Sequence, residues 1–306
     1  MDLRTLRAFV EVVRQGGFSS AAKTVFASQP TISKAVKQLE DEIGAPLLMR
    51  IGRGVQLTEA GRIVYTRAVA MLSERDHLKA EIAELRGLKR GTLRIGLPPV
   101  GSSILFAPLF AEFRLHNPGI DIMLQEHGSA RLEELVLAGE IDLCASLLPV
   151  SDIYDHQEVC DEPMVALLPP GHALAGRKSV RLKELSDSPF VLFESGFTLN
   201  SIIKNACRKH GFEPEAAAHS SQTDFIAALV AAGLGVALLP RLVATQSVNP
   251  AIHLALVDEP DLRWQLAMIW RRGGYLSPSV RAWLDLTEEY SRHSGHLPAT
   301  STLPTA

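Results

Sequence analysis

The chain has 306 residues, 46% apolar and 21% charged, a length that predicts two domains and a composition that excludes a largely disordered chain. Its 22 Gly and 18 Pro follow no three-residue period, which excludes collagen, and three Cys cannot all pair, so a reducing cytoplasmic location is expected rather than a secreted disulfide scaffold. The formal charge of −3 hides an asymmetry: residues 1–90 carry 15 Lys and Arg against 10 Asp and Glu, net +5, and the remainder is net −8. A basic end on an acidic body is suited to meeting a polyanion.

The opening MDLRTLRAFVEVV has acidic Asp2 and Glu11 and no long apolar run, so no signal peptide is expected. Leu3, Leu6, Phe9, Val10 and Val13 then recur at helical spacing, predicting a helix from about Leu3 to Arg14 that Gly16 and Gly17 stop. A second helix is expected from about Ser19 to Val25, and Phe26, Ala27 and Ser28 form a tight turn. Ser28 is a good N-cap and Pro30 fits the first turn of a third helix running to about Glu42, with Ile32, Val36, Leu39 and Ile43 as its buried stripe. Leu47 to Leu57 reads as a hairpin with Gly52 and Gly54 at its tip.

Thr58 and Glu59 start a long helix to about Arg86, about 42 Å in length. Val64, Ala68, Met71, Arg75, Leu78, Ile82 and Leu85 fall on a heptad seam, which predicts pairing with the same helix of a second subunit. From Thr92 the pattern becomes short apolar strands alternating with helices. Strands are expected at Thr92–Leu97, Asp121–Glu126, Leu143–Leu148, Met164–Leu168, Phe190–Phe193, Ala216–His219, Val236–Leu239 and Gln265–Trp270. Helices are expected at Leu105–Leu115, Ala130–Ala138, Ile202–His210 and Thr223–Ala231, so the body reads as an α/β sheet with crossover helices. The longest apolar stretch, Phe225 to Leu239, falls short of the roughly 20 residues a membrane helix needs. No membrane association is expected.

The predicted boundaries are 1–57 for an all-α, winged DNA-binding domain, 58–90 for a linker and dimerisation helix, and 91–290 for a two-lobed α/β domain. Within the last, lobe I covers 91–162 and 267–290 and lobe II covers 163–266, with crossings near 161–163 and 266–268. Residues 291–306, rich in Ser, Thr, Pro and His, read as a frayed tail.

Helix, tight turn, helix over residues 19–42 is helix-turn-helix spacing. The first residues of the second helix of such a pair reach base edges in the major groove of duplex promoter DNA. Gln29 suits a bidentate contact with adenine, Thr31 a thymine methyl, and Lys34 and Lys37 guanine or phosphate. Ser28, Pro30 and Ser33 belong to the same leading edge, and Arg50 and Arg53 on the wing are placed for phosphates or a minor groove.

The stretch LRTLRAFVEVVRQGGFSSAAKTVFASQPTISKAVKQLEDEIGAPLLMRIGRGVQLTEAG resembles the N-terminal domain of LysR-type transcriptional regulators. The telling pieces are Ala21-Ala22, Ser28 to Ser33, Gln38-Leu39-Glu40, Ile43-Gly44, Leu47-Leu48, Arg50 and Leu57 to Gly61. Ile43 stands where the family more often has Leu. The resemblance runs over about residues 1–290. It implies a winged helix-turn-helix, a dimerising linker helix and a periplasmic-binding-protein-like effector domain. It further implies homotetramers of two dimer types, activation of a neighbouring operon and repression of the regulator's own gene. In the body, LPPVGSS, SSQTDFIAALVAAGLGVALLPR and EPDLRWQLAMIWRRGGYLS resemble the CidR-like branch, which is associated with holin-like exporters and carbon-overflow metabolism.

Ligands of such a body sit where strand ends from both lobes face a crevice. Pro98 to Ser103, including Val100, Gly101, Ser102 and Ser103, leads from the first strand into a helix whose free N–H groups suit an anion. Phe193 to Thr198 does the same on the second lobe, and Ser129 and Ser146 complete one wall. The family resemblance carries effector contacts onto Val100, Gly101, Ser102, Ser129, Phe197, Thr198 and Thr223. Together these residues favour a small organic acid.

Gly233 and Gly235 follow a helix and precede a strand, the reverse of a dinucleotide fingerprint. No Walker A, H-E-x-x-H or G-x-S-x-G pattern occurs, and the ten His show no ligand-like pairing. No metal, cofactor or catalytic activity is expected. Two other readings stand beside the favoured one. A redox-sensing regulator would use Cys160 or Cys207, although Asp161 and Glu162 beside Cys160 disfavour a thiolate. A small-molecule binding protein without DNA function is what the α/β body alone would allow. An enzyme with Asp224 or Glu194 as base has no supporting motif.

Overall fold

A computed structural model describes every residue except 52–53, 86–90, 247–248 and 295–306. The chain divides into two compact units, Met1–Leu88 with Leu137–Glu140, and Lys89–Val136 with Ile141–Ala306.

The first unit opens with α1 (Leu3–Arg14), whose N-cap Asp2 accepts the Arg4 N–H at 3.0 Å. Helix α2 (Phe18–Thr24) and helix α3 (Gln29–Ile43) follow. Phe9 and Leu39 are fully buried, and with Leu6, Val10, Ala21, Ala22, Ile32, Val36 and Leu47 they form one core. Burying a Phe or Leu side chain stabilises by about 1.5–3 kcal/mol, so this cluster decides how the three helices meet. Ile43, expected in the buried stripe, is exposed, because α3 ends there and Gly44 turns the chain away in a left-handed conformation, φ 78°. The wing is an antiparallel pair, β1 (Leu48–Ile51) and β2 (Gly54–Leu57). Its expected tip at Gly52, with Arg53, lies outside the described residues, as does the Arg50 side chain.

Helix α4 (Glu59–Leu85) begins at Thr58, whose hydroxyl accepts the Gly61 N–H at 2.9 Å. The predicted seam splits along its length. Ala68 and Val69 are buried and Val64, Tyr65 and Leu72 pack on the core of the same unit, whereas Met71, Leu78 and Ile82 are exposed. The Leu85 side chain lies outside the described set.

The second unit is built on an eight-stranded sheet. Its strands are β3 (Gly91–Leu97), β4 (Ile120–Glu126), β5 (Leu143–Leu147), β6 (Tyr154–Leu168), β7 (Ser179–Val180), β10 (Ala237–Pro240), β11 (His253–Val257) and β12 (Arg263–Arg271). The order is β4-β3-β5-β12-β6-β11-β7, with β10 also paired to β6. A separate parallel pair joins β8 (Phe190–Phe193) to β9 (Ala216–Ser220). Helices α5 (Ser102–His116), α6 (Ser129–Ala138), α7 (Thr198–Lys209), α8 (Thr223–Ala231), α9 (Arg241–Ala244) and α10 (Pro278–Ser294) complete it.

Strand β6 makes the two lobes. Tyr154–Pro163 pairs with β12 on the first lobe, and from Met164 the same strand pairs with β10 and β11 on the second. The change of partner along β6 falls between Pro163 and Met164. The return differs: β12 is already paired to β6 at Arg263, so the chain re-enters lobe I before the expected 266–268. Only the second half of β6 is apolar enough to read as strand from sequence. Its first half is polar, with Asp155 and Gln157 half-buried, His156 and Glu158 exposed, and burial after Tyr154 resuming only at Val159 and Cys160. The expected tail is also shorter, because Ser291 is buried in α10 and its hydroxyl donates to the Thr287 carbonyl at 2.7 Å. Residues 295–306 lie outside the described set.

Candidate nucleic-acid interface and effector cleft

The leading turn of α3 is fixed by its own polar side chains. The Thr31 N–H donates to Ser28 Oγ at 3.3 Å, and the two hydroxyls lie 2.7 Å apart. Gln29 Nε2 donates to Ser33 Oγ at 2.8 Å, so the amide plane is set before any duplex arrives. Ser28, Gln29, Pro30, Thr31, Lys34 and Lys37 are all exposed on this helix and Ser33 is half-buried. Lys37 pairs with Asp41 at 2.8 Å, which raises its pKa above the usual lysine value, first through the hydrogen bond and then through the charge.

One buried residue ties this helix to its wing and to α4. The Leu47 N–H donates to Glu40 Oε1 at 2.8 Å, the Leu48 N–H reaches the same oxygen at 3.3 Å, and the Thr58 N–H donates to the Leu47 carbonyl at 3.0 Å. A Cβ on Gly61 would collide with that carbonyl, so only glycine fits. Glu40, Leu47, Thr58 and Gly61 belong to the segments that carry the family resemblance, and this network gives them a mechanical reason. Phe26 lies in the turn between α2 and α3. It is 98% exposed with a positive φ of 54°, a conformation that a bulky side chain rarely adopts.

In the second unit, α5 and α7 begin without a side-chain cap, leaving first-turn N–H groups for another partner. The N-cap of α5 is Gly101 at φ 80°, where a Cβ would lie 2.5 Å from the Trp264 ring. Trp264, fully buried on β12, thus packs against Gly101 at the start of α5, a contact that sequence reading did not single out. Ser102 Oγ donates to the Pro98 carbonyl, so this hydroxyl serves its own turn, while Ser103 is exposed.

The two lobes meet beside α6 and α7. A Cβ on Gly128 would stand 2.6 Å from the Gly196 carbonyl oxygen, so the loop before Ser129 abuts the loop before Phe197 and Thr198. Ser129 is buried at that point and Phe197 stacks on Phe193, ring centroids 5.5 Å apart. Ser146 is placed differently. It is fully buried and donates to Glu133 Oε1 of α6 at 2.5 Å, which occupies its hydroxyl. Thr223 opens α8, also without a side-chain cap. Asn200, in the first turn of α7, is 6% exposed, and its Oδ1 has no hydrogen-bond partner.

All three Cys are free and buried. Burial pushes the Cys160 thiol up to about 12, with Glu162 and Asp161 adding to it, and the Cys207 thiol up to about 11; Cys144 is raised as well. Among the described residues no helix is long and apolar enough to cross a membrane, and no cluster of three His, Cys, Asp or Glu could hold a metal ion.

Residues 3–62 match the family described as bacterial regulatory helix-turn-helix protein, lysR family, and residues 86–292 match the LysR substrate binding domain. The chain is 38% identical over 291 residues to the uncharacterized HTH-type transcriptional regulator YwbI of Bacillus subtilis, covering 95% of this chain and 97% of that protein. It is 33% identical over 280 residues to the HTH-type transcriptional regulator BudR of Raoultella terrigena, covering 89% and 95%. Full-length OxyR of Pseudomonas aeruginosa superposes with a TM-score of 0.78 at 26% identity over 99% of both chains. The chain therefore belongs to the LysR-type transcriptional regulators, DNA-binding proteins that carry an effector-binding domain and are not enzymes.

Proposed function

We propose that this regulator answers to a small organic anion held between the lobes of its second unit. The observation that supports this most is the contrast in helix capping. Helices α1 and α3 are closed by Asp2 and Ser28 and the short α2 is not, whereas all three helices whose starts carry the candidate contacts, α5, α7 and α8, begin without a side-chain cap. Uncapped first-turn N–H groups and the positive end of the helix dipole favour a carboxylate. Val100, Gly101, Ser102, Ser103, Phe197, Thr198 and Thr223 line these starts, and Ser129 stands where the lobes touch. Ser146 acts here through Glu133. The likeness of the body to the CidR-like branch, with its link to carbon-overflow metabolism, agrees with an acid.

In this reading Ser28, Gln29, Pro30, Thr31, Ser33 and Lys34 read the major groove, and Lys37, Arg50 and Arg53 meet phosphate. The protein acts in the cytoplasm, on duplex promoter DNA. A second copy covers Met71, Leu78 and Ile82 of α4, and pairs of dimers form the tetramer. The acid shifts the lobes by binding one arrangement better than the other.

Two measurements test this. Thermal-shift titration with short carboxylates is expected to raise the melting temperature, since ligand binding to the native state stabilises it. A gel shift on the gene's own upstream DNA is expected to show binding lost in the combined Gln29→Ala, Lys34→Ala and Arg53→Ala variant. No response to any acid sinks the effector assignment, and unchanged DNA binding sinks the interface.

A further inference from the structure

We propose that Asn200 sets effector specificity by reading a hydroxyl on the acid, so that the preferred ligands are hydroxycarboxylates. The proposal rests on the cleft reading above and deepens it. Asn200 belongs to the buried stripe of α7 with Leu199, Ile203, Ala206 and Cys207. Every other member of that stripe is apolar or a thiol, and an amide among them is costly unless it is hydrogen-bonded. Its Oδ1 has no partner, while the side chain is more than nine-tenths buried. Buried polar atoms without partners are rare in native proteins and call for a missing partner.

The position of the amide says where that partner comes from. Side chains on a helix lean toward its N-terminus, so Asn200, in the first turn, reaches over the uncapped start of α7. The preceding loop is the one whose Gly196 carbonyl abuts Gly128 of the other lobe. An acid bound here has its carboxylate on the free N–H groups of α7. A hydroxyl on a neighbouring carbon then falls beside Asn200, where Oδ1 accepts from the hydroxyl hydrogen and the amide N–H₂ faces the hydroxyl oxygen. A plain acid of the same length leaves the amide as unpaired as before. Sites built around a buried hydrogen-bonding group discriminate against the analogue that lacks the matching group for this reason.

The test is calorimetric titration of the full-length protein with matched pairs: propionate and lactate, butyrate and 3-hydroxybutyrate, succinate and malate. In at least one pair the hydroxylated acid is expected to bind about tenfold or more tightly than its parent. Asn200→Leu is expected to lose the preference, binding both members of that pair alike, and to melt without ligand at or above the wild-type temperature, because an unpaired amide has been replaced by a shape-matched apolar group. A preference that survives in Asn200→Leu and Asn200→Ala, or the absence of one in every wild-type pair, overturns this inference while leaving the anion cleft standing. A ligand-free Asn200→Leu that melts well below the wild type assigns the amide to the fold and overturns it too. Failure of all six acids to bind overturns the cleft reading and this inference together.

Discussion

Removing the Glu40 carboxylate tests whether one side chain holds the DNA-reading helix to its wing. Oε1 takes the Leu47 N–H at 2.8 Å and the Leu48 N–H at 3.3 Å, and Leu47 is fully buried. A hydrogen bond to a charged acceptor contributes about 1.5–3 kcal/mol, with the longer one at the low end or below it. Glu40→Ala removes both and strands a buried donor, for an expected loss of about 3 kcal/mol. Glu40→Gln keeps an oxygen in place and gives up the charge, for an expected loss of about 1 kcal/mol. In a domain of this size about 3 kcal/mol lowers the melting temperature by more than about 10 °C. The chain offers its own control, since its three Trp, at 264, 270 and 283, all lie in the second unit. Far-UV circular dichroism is therefore expected to show an early transition in Glu40→Ala that tryptophan fluorescence does not follow. Equal losses in the Ala and Gln variants, or a fluorescence transition that moves with the helical one, would refute the reasoning.

Three further outcomes follow from the geometry. Phe26→Asn relieves a positive φ without losing packing, because the ring is 98% exposed; denaturant titration is expected to show a gain of about 0.5–1 kcal/mol. Gly101→Ala adds a Cβ 2.5 Å from the Trp264 ring at a φ of 80°, an expected loss of about 2–4 kcal/mol that Trp264→Phe in the same chain partly restores. With thiols raised to about 12 at Cys160 and about 11 at Cys207, and Cys144 raised also, the thiolate is scarce at pH 8. An aromatic disulfide reagent is expected to leave the native protein unlabelled and to titrate all three Cys in guanidinium. Rapid native labelling would return redox sensing to consideration.

Helices α1 and α3 were legible because apolar residues recur at helical spacing, Gly16 and Gly17 stop the first, and Ser28 caps and Gly44 stops the third. The expected range of α8, Thr223–Ala231, matches the observed one, with Gly233 at a positive φ just past its end. What escaped notice depends on tertiary context. The first half of β6 is a polar-looking stretch that becomes strand only because β12 pairs with it. Strand β11 alternates exposed Leu254 and Leu256 with buried Ala255 and Val257, so both faces are apolar and the sequence shows no period. The hydrogen-bond partners of Ser102 and Ser146, the Pro98 carbonyl and Glu133, are set by folding and not by spacing. Trp264 and Asn200 gave no local signal at all. One needed the approach of Gly101 to be noticed, and the other a count of unmet hydrogen bonds.

The crossing at β6 and β12 has an engineering consequence. Pro163 and Arg263 are paired neighbours, so the chain leaves lobe I and comes back almost at the same spot. The intervening segment is a cassette plugged into one socket, and its ends stay adjacent whatever it contains. Replacing it with the corresponding segment of a relative would exchange the second lobe while keeping the first unit and the rest of the sheet in their original sequence.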